Sequence, residues 1–519
     1  MTSAFTIRNL TPSTLYLTRV EHFQDPNSLQ SKTTSYLFPS SSNALITPTS
    51  PELGEHAQKF KYRDLEVKLE PYEAYTLKSF VEGLDQDSTE VSSTNVRLIV
   101  QNESNDRFRV DFNPSYTQRS SHASTNLTST ISITPRILFH PTRPVPHVSL
   151  HTNHNCTYSC WMKTLPDQLP ISAISIPGTH NSHTYYRALP SVRCQVVDVM
   201  NQLENGIRFL DIRLQPVHAT DASKQDLYLV HGAFPVSLTG PKYFLPVLQT
   251  CYSFLAANPS ETILISLKRE GIGGATDEHL ATILNTHYIG SNPSRWYTGC
   301  SIPSLGAVRG KLVLVRRYKT SSTASPTQPS PTGLDATPWP HNATHARFPL
   351  VSPTFCLQDF CDVLVPGLIS AKVQHCTEHL VRAGRVAHCM PSGVASAGTL
   401  HPAGAEPLYL NFLSASNFWK RACWPQVIAQ TVNRRVEEWL CEGHALESVE
   451  QGAETRRPEI HGVGRVRRRG AGDACTGVVV MDYVGENGDW ELVHLIVGMN
   501  MGVLMKARQA GLDTTESRV

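Results

Sequence analysis

The chain has 519 residues, enough for two domains, and 40% hydrophobic and 17% charged residues, as in an ordinary folded protein. With 46 Lys and Arg against 44 Asp and Glu, the formal net charge of +2 gives no basic field that would favour a nucleic-acid partner. We expect no signal peptide, because the first residues lack a basic region followed by a continuous apolar run, and no stretch reaches the ~18 apolar residues of a membrane span. We expect a cytoplasmic protein, with peripheral attachment to membranes left open.

Residues 1–135 alternate short β-type runs with turns rich in Ser, Thr, Asn and Pro. The runs are FTIRNL, LYLTRV, LEVKLE, AYTLKSF, VRLIVQN and FRVDF, and their β-branched and aromatic residues are typical of strands. This spacing predicts an all-β, sandwich-like N-terminal domain. The stretch 136–164, rich in Pro and His, is predicted to be a linker.

Beyond the linker, strand-like apolar runs alternate with helix-like segments. We count eight such runs, from ISAISIPG to GVVVMDYV. Eight short buried strands with helical crossovers predict an α/β fold, an imperfect TIM (β/α)8 barrel, over residues 165–510. Three stretches do not fit a compact barrel and are interpreted as insertions, near 319–346, 391–406 and 452–474.

Polar and titratable residues recur at the ends of the predicted strands, where barrel enzymes place their catalytic groups. Asp211 and Arg213 are two residues apart, so their side chains face the same side of one strand. The other strand ends carry His180 with Asn181, His231, Lys268, Asp359 and Asp482. Recurrence at equivalent positions favours one active site over separate packing roles.

Two histidines on one rim are suited to proton transfer, because imidazole titrates near neutral pH. An aspartate beside each ring would fix its tautomer and stabilise the imidazolium. An arginine fork suits an oxygen that gains negative charge in the transition state. A base, an acid and an anion clamp together predict cleavage of a phosphodiester.

Eight segments in chain order carry a family resemblance: ISIPGTHNS, QLENGIRFLDIRL, YLVHGAF, NPSETILISLKRE, RGKLVLVRRY, CLQDF, LNFLSAS and VVVMDYV. They resemble the X region of bacterial-type phosphatidylinositol-specific phospholipase C over about residues 165–505. The two-domain arrangement resembles fungal phospholipase-C-like phosphodiesterases. The resemblance implies an imperfect TIM barrel that converts phosphatidylinositol to diacylglycerol and inositol 1,2-cyclic phosphate.

By position, the resemblance also implies roles for single residues. His180 would take the proton of the inositol 2-hydroxyl, and His231 would protonate the leaving glycerol oxygen. Asp482 would support the base, Asp211 would support the acid, and Arg213 would hold a phosphoryl oxygen. The implied substrate-binding positions are Asn181, Lys268, Arg309 and Asp359.

This sequence departs from the family pattern at two of its positions. Asn181 stands where bacterial members have an aspartate, and Cys361 stands where an aromatic residue would stack on inositol. Asn181 resembles a ligand of the calcium-dependent branch. However, Arg213 replaces that branch's second carboxylate, and Ca²⁺ needs several oxygen ligands. We therefore expect neither a metal nor another cofactor.

Two other functions stay open. A glycerophosphodiester phosphodiesterase or a sphingomyelinase D-like enzyme also uses two histidines, but needs a carboxylate cluster that Arg213 interrupts. A degenerate lipid-headgroup or protein-binding module is favoured by Asn181 and the insertions, although binding alone requires no acid–base pair. The expected partner is a phospholipid or another phosphodiester. Trp419 and Trp424, in NFWKRACW, are either a contact with a membrane interface or part of the barrel core.

Overall fold

The structure is a computed structural model. It describes residues 5–24, 60–77, 94–105, 107–112, 136–140, 147–151, 158–320, 333–349, 354–388, 406–448, 467–469 and 472–512. The chain forms two compact units. The N-terminal unit comprises Met1–Asn153, Cys441–Arg469 and Asn487–Glu491, and the barrel unit comprises His154–Leu440, Gly470–Glu486 and Leu492–Val519.

The N-terminal unit contains eight strands in the described part of its first segment. They are β1 (Phe5–Leu10), β2 (Leu15–Gln24), β3 (Lys61–Leu69), β4 (Ala74–Leu77), β5 (Thr94–Asn102), β6 (Arg107–Phe112), β7 (Arg136–His140) and β8 (His147–His151). They form two four-stranded sheets, in the orders β4-β1-β8-β7 and β3-β2-β5-β6. All pairings are antiparallel except that of β1 with β8.

One hydrophobic core joins the inner faces of the two sheets. Ile7 and Val148 come from one sheet and Leu17 and Leu98 from the other, and all four are buried in the same cluster. Side chains alternate between the two faces of a strand, so each sheet can turn one apolar face inward. The predicted sandwich-like domain is confirmed.

The stretch 136–164, expected to be a linker, contains regular structure. Strands β7 and β8 both lie within it and pair with each other in the N-terminal unit. Its last residues belong to a short helix of the barrel unit, Tyr158–Thr164. The Pro and His residues of this stretch led to its interpretation as a linker, although it contains the strand HVSLH, whose five residues are all buried. The exact domain boundaries stay a prediction.

The remaining strands follow in chain order: β9 (Ile176–Thr179), β10 (Phe209–Pro216), β11 (Leu227–His231), β12 (Phe234–Pro235), β13 (Ile263–Arg269), β14 (Trp296–Tyr297), β15 (Leu312–Arg317), β16 (Leu334–Asp335), β17 (Ala346–Phe348), β18 (Phe355–Gln358), β19 (Leu408–Phe412), β20 (Leu446–Ser448), β21 (Arg467–Arg469) and β22 (Val478–Met481). The described α-helices are α1 (Val199–Glu204), α2 (Phe244–Ala257), α3 (Asp277–Ile283), α4 (Leu305–Val308), α5 (Ile369–Gly384), α6 (Pro425–Glu442), α7 (Glu491–Gly498) and α8 (Met501–Gln509). No helix in these ranges is long and apolar enough to cross a membrane.

A curled, mainly parallel sheet forms the centre of the barrel unit. Its strand order is β14-β15-β13-β10-β9-β22-β19-β18-β17, and only the edge strand β17 runs antiparallel to its neighbour on this path. Residues buried on both faces fill the strands, as in VVVM of β22, which is typical of a parallel sheet covered by helices. Among the described residues, β14 and β17 are not paired with each other, so the barrel is imperfect, as predicted.

The third of the eight predicted strands differs from the expectation. LYLVH is β11, which pairs antiparallel with β10 and antiparallel with β12. Only residues 217–226 separate β10 from β11, and a parallel crossover needs a dozen or more residues. The segment is therefore a hairpin arm beside the sheet.

The three predicted insertions fall largely outside the described residues. Of 319–346, residues 319–320 and 333–346 are described; the second range contains β16 and reaches into β17. Of 391–406, only Glu406 is described, and of 452–474 only 467–469 and 472–474. The interpretation of these stretches as insertions stays a prediction.

Candidate active site

Three cationic side chains lie next to one another, in register, on three neighbouring strands. Arg213 of β10 pairs with Lys268 of β13, and Lys268 pairs with Arg317 of β15. Paired residues of parallel strands turn their side chains to the same face. All three side chains line one cavity of about 340 Å³ at the carboxyl end of the sheet.

The same cavity collects residues from other strand ends. His180 directly follows β9, His231 ends β11, and Asp359 directly follows β18. Strand ends from both halves of the path meet at one cavity because the sheet is curled. The structure thus brings together five predicted site residues: His180, Arg213, His231, Lys268 and Asp359.

Asp482 holds His180 from the neighbouring strand. Because β22 lies beside β9, the backbone N–H of His180 donates to the carbonyl of Met481 at 3.0 Å. The next residue, Asp482, places Oδ1 2.9 Å from Nδ1 of His180. The carboxylate side chain is 2% exposed and the imidazole 19%. Asp482 thereby engages Nδ1, and the His180 side chain lines the cavity.

The charges around His180 favour its protonated form. Burial alone would lower the pKa of His180, but the Asp482 carboxylate and the Cys194 sulfur outweigh it and raise that pKa well above 6.5. The ring of His180 lies 6.2 Å from that of His231, centroid to centroid, at an interplanar angle of 89°. The two imidazoles therefore stand close enough to serve one small substrate.

His231 is held by backbone rather than by a carboxylate. Its Nδ1 donates to the carbonyl of Val192 at 2.8 Å, and Cys194 Sγ lies 3.9 Å from the same nitrogen. Burial alone would lower the pKa of His231, but Cys194 raises it above the ordinary value. The next residue, Gly232, has a φ of 57° and donates its N–H to Glu270 Oε2 at 3.1 Å.

Asp211, which the sequence predicts to support His231, hydrogen-bonds to other side chains. Asp211 Oδ2 accepts from Arg213 NH2 at 2.7 Å, and Oδ1 accepts from Ser266 Oγ at 3.2 Å and Arg317 NH1 at 3.3 Å. Burial alone would raise the pKa of Asp211, but Arg213 and Arg317 hold it well below its ordinary range. Two adjacent guanidinium groups engage this carboxylate because all three side chains share one face of the sheet.

A second, half-buried carboxylate supports the cations. Glu270 Oε1 lies 3.3 Å from Lys268 Nζ and 3.6 Å from Arg213 NH1. Burial alone would raise the pKa of Glu270, but Arg213 and Lys268 lower it to about 2. Neither Glu270 nor Asp211 lines the cavity. A ligand would therefore meet the cations first, with the neutralising carboxylates behind them.

An aromatic side chain that the sequence did not suggest forms one wall of the cavity. Trp339 lies 3.6 Å from Arg317 Cζ, measured to the ring centroid, and donates its Nε1–H to Asp359 Oδ2 at 2.9 Å. Cys361, which stands where an aromatic residue was expected, also lines the cavity. Trp339 therefore supplies an aromatic surface from a different segment of the chain.

Two predicted substrate-binding residues lie away from the cavity lining. Arg309 precedes β15, at the opposite end of the sheet, and donates to Asp167 Oδ1 at 2.6 Å and to the carbonyl of Leu165 at 2.6 Å. The structure therefore does not bring Arg309 to the cavity with the other predicted residues, because it lies at the opposite edge of the sheet. Asn181 is buried with a φ of 41°, and its Nδ2 lies 3.9 Å from Cys194 Sγ.

The sequence contained a signal for one missed residue but not for the others. Arg317 ends the predicted strand KLVLVRRY at the level of Lys268, so the strand-end rule applied there would have found it. Trp339 lies in a stretch interpreted as an insertion, and Cys194 lies in a loop between β9 and α1. No periodicity marks either one.

Two groups of side chains in the described residues have donors suited to a metal ion. His180, Cys194 and Asp482 form one group, and the other comprises His341, Cys361 and Asp362. In each group the ligand atoms all lie within 4.8 Å of one another. The first is deep in the site, and the second is at the cavity rim.

Comparison with known proteins confirms the family resemblance for part of the chain. Residues 168–318 match the family model described as "Phosphatidylinositol-specific phospholipase C, X domain". The 1-phosphatidylinositol phosphodiesterase of Listeria monocytogenes is 34% identical over 178 residues, covering 32% of this chain and 51% of the relative. That of Staphylococcus aureus strain Newman is 28% identical over 193 residues, covering 36% and 58%. The chain thus spans only about half the length of these relatives.

Solved structures of phosphatidylinositol-specific phospholipases C from the same two species also match. A phosphatidylinositol-specific phospholipase C from S. aureus has a TM-score of 0.48 at 20% identity, over 66% of this chain and 98% of that one. The enzyme from L. monocytogenes has a TM-score of 0.43 at 21% identity, over 66% and 99%.

Proposed function

We propose that this chain, whose residues 168–318 carry the X domain, cleaves phosphatidylinositol to diacylglycerol and inositol 1,2-cyclic phosphate. The observation that carries the proposal is the pair of histidines across one cavity, His180 held by Asp482 and His231 held by a backbone carbonyl. Similarity to proteins named 1-phosphatidylinositol phosphodiesterase supports the choice of substrate. A binding module has no need for two histidines of fixed tautomer.

The first step is attack of the inositol 2-hydroxyl on phosphorus. Nε2 of His180 accepts the hydroxyl proton, and Asp482 stabilises the imidazolium that forms. The nonbridging oxygens gain negative charge during attack, and Arg213 supplies a permanent positive charge at the cavity wall. In this mechanism Arg213 meets the charge that a metal ion would otherwise have to meet.

The second half of the reaction is departure of the glycerol oxygen. His231 donates a proton from Nε2, since its Nδ1–H is committed to Val192. An acid must be protonated before the reaction, and the raised pKa of His231 favours that state. The P–O bond to diacylglycerol breaks as the leaving oxygen takes the proton, and the five-membered cyclic phosphate remains on inositol.

The headgroup would lie against the cations and the aromatic wall. Lys268 and Arg317 present donors to the ring hydroxyls, Asp359 is fixed by Trp339 and presents an acceptor, and the indole face covers the ring. Trp339 thereby takes the role that Cys361 does not fill. Donors and acceptors on one side and an apolar surface on the other match a polyhydroxylated ring.

Phosphorus NMR of the full chain with phosphatidylinositol vesicles tests the proposal. We expect the lipid resonance to be replaced by that of a five-membered cyclic phosphodiester. His180→Ala should abolish the change. His279→Ala should not, because this half-buried histidine lies outside the cavity lining and bonds to the carbonyl of His218. A phosphomonoester product formed without a cyclic phosphodiester would instead support the glycerophosphodiesterase or sphingomyelinase D alternative. Vesicle binding without any product would support a binding module.

A further inference from the structure

A buried thiol lies directly behind the two histidines. Cys194 is fully buried, with Sγ 3.9 Å from His231 Nδ1 and 3.9 Å from Asn181 Nδ2. Its sulfur, a ring nitrogen of His180 and a carboxylate oxygen of Asp482 all lie within 4.8 Å of one another. The proposed mechanism uses His180 and Asp482 but assigns nothing to Cys194.

We propose that His180, Cys194 and Asp482 form a binding site for a divalent metal ion that prefers sulfur ligands, such as Zn²⁺. The bound ion blocks catalysis. The blocking rests on the function proposed above, whereas the binding does not. Thiolate and imidazole ligands favour Zn²⁺ over Ca²⁺ and Mg²⁺, which prefer oxygen. The site is thus distinct in chemistry from a calcium site at Asn181.

The spacing of the three donors suits a small ion. Zn²⁺ binds sulfur at about 2.3 Å and nitrogen or oxygen at about 2.0–2.2 Å, so its tetrahedral ligands lie roughly 3.3–3.8 Å apart. The distance from Nδ1 of His180 to Oδ1 of Asp482 is 2.9 Å. Shifts of about 1 Å in side chains would therefore admit the ion. His180 lines the cavity and gives the ion a route from solvent.

Asn181 offers an independent sign of an unsatisfied site. The residue is 1% exposed, and its Oδ1 has no hydrogen-bond partner among the described residues. A buried amide oxygen without a partner is costly. The other end of this amide, Nδ2, faces Cys194 Sγ. A half-turn of the amide would bring Oδ1 to the sulfur side, where it can serve as the fourth ligand.

Metal binding changes the protonation of the site in a defined way. Cys194 binds as a thiolate, so its thiol proton leaves to solvent. Nδ1 of His180 binds through its lone pair, so the single proton of the neutral ring sits on Nε2, and any second ring proton also leaves. Nε2 then has no lone pair to take the proton of the 2-hydroxyl. The ion therefore blocks the base while leaving the cavity open to the lipid.

Co²⁺ is the probe for binding, because a cobalt–thiolate bond absorbs in the near ultraviolet and needs no turnover. The full chain, freed of metal by chelation, should develop this band on titration with Co²⁺, and Zn²⁺ should displace it. Cys194→Ser should lose the band. Cys361→Ser, in the group at the cavity rim, is the matched control and should keep it. A band that is absent from the parent, or that persists in the Cys194→Ser/Cys361→Ser double variant, which lacks the thiols of both groups, overturns the proposal.

Asp482→Asn covers the case in which Cys194→Ser fails to fold. It keeps the thiol, and we expect Co²⁺ binding at least about tenfold weaker than in the parent. Unchanged Co²⁺ affinity in a folded Asp482→Asn protein would contradict the three-ligand site.

Activity separates this inference from the proposed function. Zn²⁺ should inhibit turnover of the parent and a chelator should restore it, whereas Cys194→Ser should resist Zn²⁺ relative to its own metal-free rate. A cobalt band with no turnover under any condition would refute the proposed function and leave the metal site standing. Turnover without a cobalt band would support the proposed function and refute the metal site.

Discussion

Asp482 Oδ1 lies 2.9 Å from His180 Nδ1 although 302 positions separate the two residues in the chain. The contact follows from the pairing of β22 with β9, in which Met481 lies opposite Thr179. Each residue of interest comes one position after its strand ends, so the sheet sets the two side chains side by side. The acid–base site therefore depends on the pairing of the last described strand with the first strand of the barrel.

Replacing either histidine tests the proton relay. His180→Ala or His231→Ala should lower kcat/KM by at least ~10²-fold, the usual scale of general acid–base catalysis. The double variant should be little worse than the worse single variant, because both groups act in one reaction. Initial rates of cyclic phosphate formation measure this. Nearly parental turnover in either single variant would end the mechanism.

The pH dependence of the rate should report the charge of His180. The base must be neutral, and its pKa is raised well above 6.5, so kcat/KM should rise with pH through a value above 6.5. Asp482→Asn removes the carboxylate that stabilises the imidazolium. Its rising limb should therefore move to lower pH while its maximum rate falls. A limb that stays in place would show that Asp482 does not set this pKa.

The strand ends could be predicted from the sequence because they depend on a local pattern. A run such as TILISLK shows where a buried strand stops, and parallel strands stop at the same edge, so Lys268 and Arg213 were expected together. The structure places them in register. The same reasoning located His180, His231 and Asp359 at the cavity.

The sequence pattern could not predict contacts in which several side chains compete for the same hydrogen-bond partner. The sequence placed Asp211 and Arg213 on one face, but it could not tell whether Asp211 would bond to a guanidinium or to His231. Arg317, for which the sequence predicted no role, supplies a second guanidinium for this carboxylate. Trp339 reaches the cavity from a segment without periodicity, so nothing in the sequence indicated its position.

Arg213 is expected to make added metal unnecessary for turnover. Activity should survive excess chelator, because the guanidinium already supplies a fixed positive charge beside the reacting phosphate. Arg213→Lys should lose most of the activity, since Lys cannot present a planar fork. Rates with and without chelator measure this. Loss of activity with chelator and its return with Ca²⁺ or Mg²⁺ would instead make Asn181 a ligand of a catalytic Ca²⁺ or Mg²⁺ ion.

Trp339 is expected to affect binding of the headgroup more than the chemical step. Trp339→Ala removes the wall that stacks against Arg317 and the donor that fixes Asp359. We expect KM to rise about tenfold, equivalent to about 1.4 kcal/mol, with a smaller change in kcat. Trp339→Phe keeps a ring and should fall in between. Equal losses in kcat and kcat/KM with no change in KM would assign Trp339 to the transition state instead.

The two tryptophans of the segment NFWKRACW differ in their exposure to solvent. Trp419 is 87% exposed, whereas Trp424 is half-buried and donates its Nε1–H to the carbonyl of Phe418 at 3.0 Å. Phe418 stacks on Phe234, with ring centroids 4.3 Å apart. Leu364, in a neighbouring loop, is 59% exposed, and its carbonyl accepts a hydrogen bond from Asn417. Trp424 thus anchors the segment, and Trp419 is presented to the surroundings.

Trp419 is therefore the residue that we expect to enter a lipid interface. Indole rings favour the boundary between headgroups and acyl chains, and the neighbouring Lys420 and Arg421 favour an anionic surface. Trp419→Ala should weaken binding to vesicles containing phosphatidylserine by about tenfold or more, from the apolar area left unburied. Trp419→Phe should retain most of the binding, and salt should weaken all three proteins. Flotation of vesicles with each protein measures the bound fraction. Equal flotation of the parent and Trp419→Ala would show that this segment does not contact the membrane. Leu364 and its loop would then be the apolar surface to test.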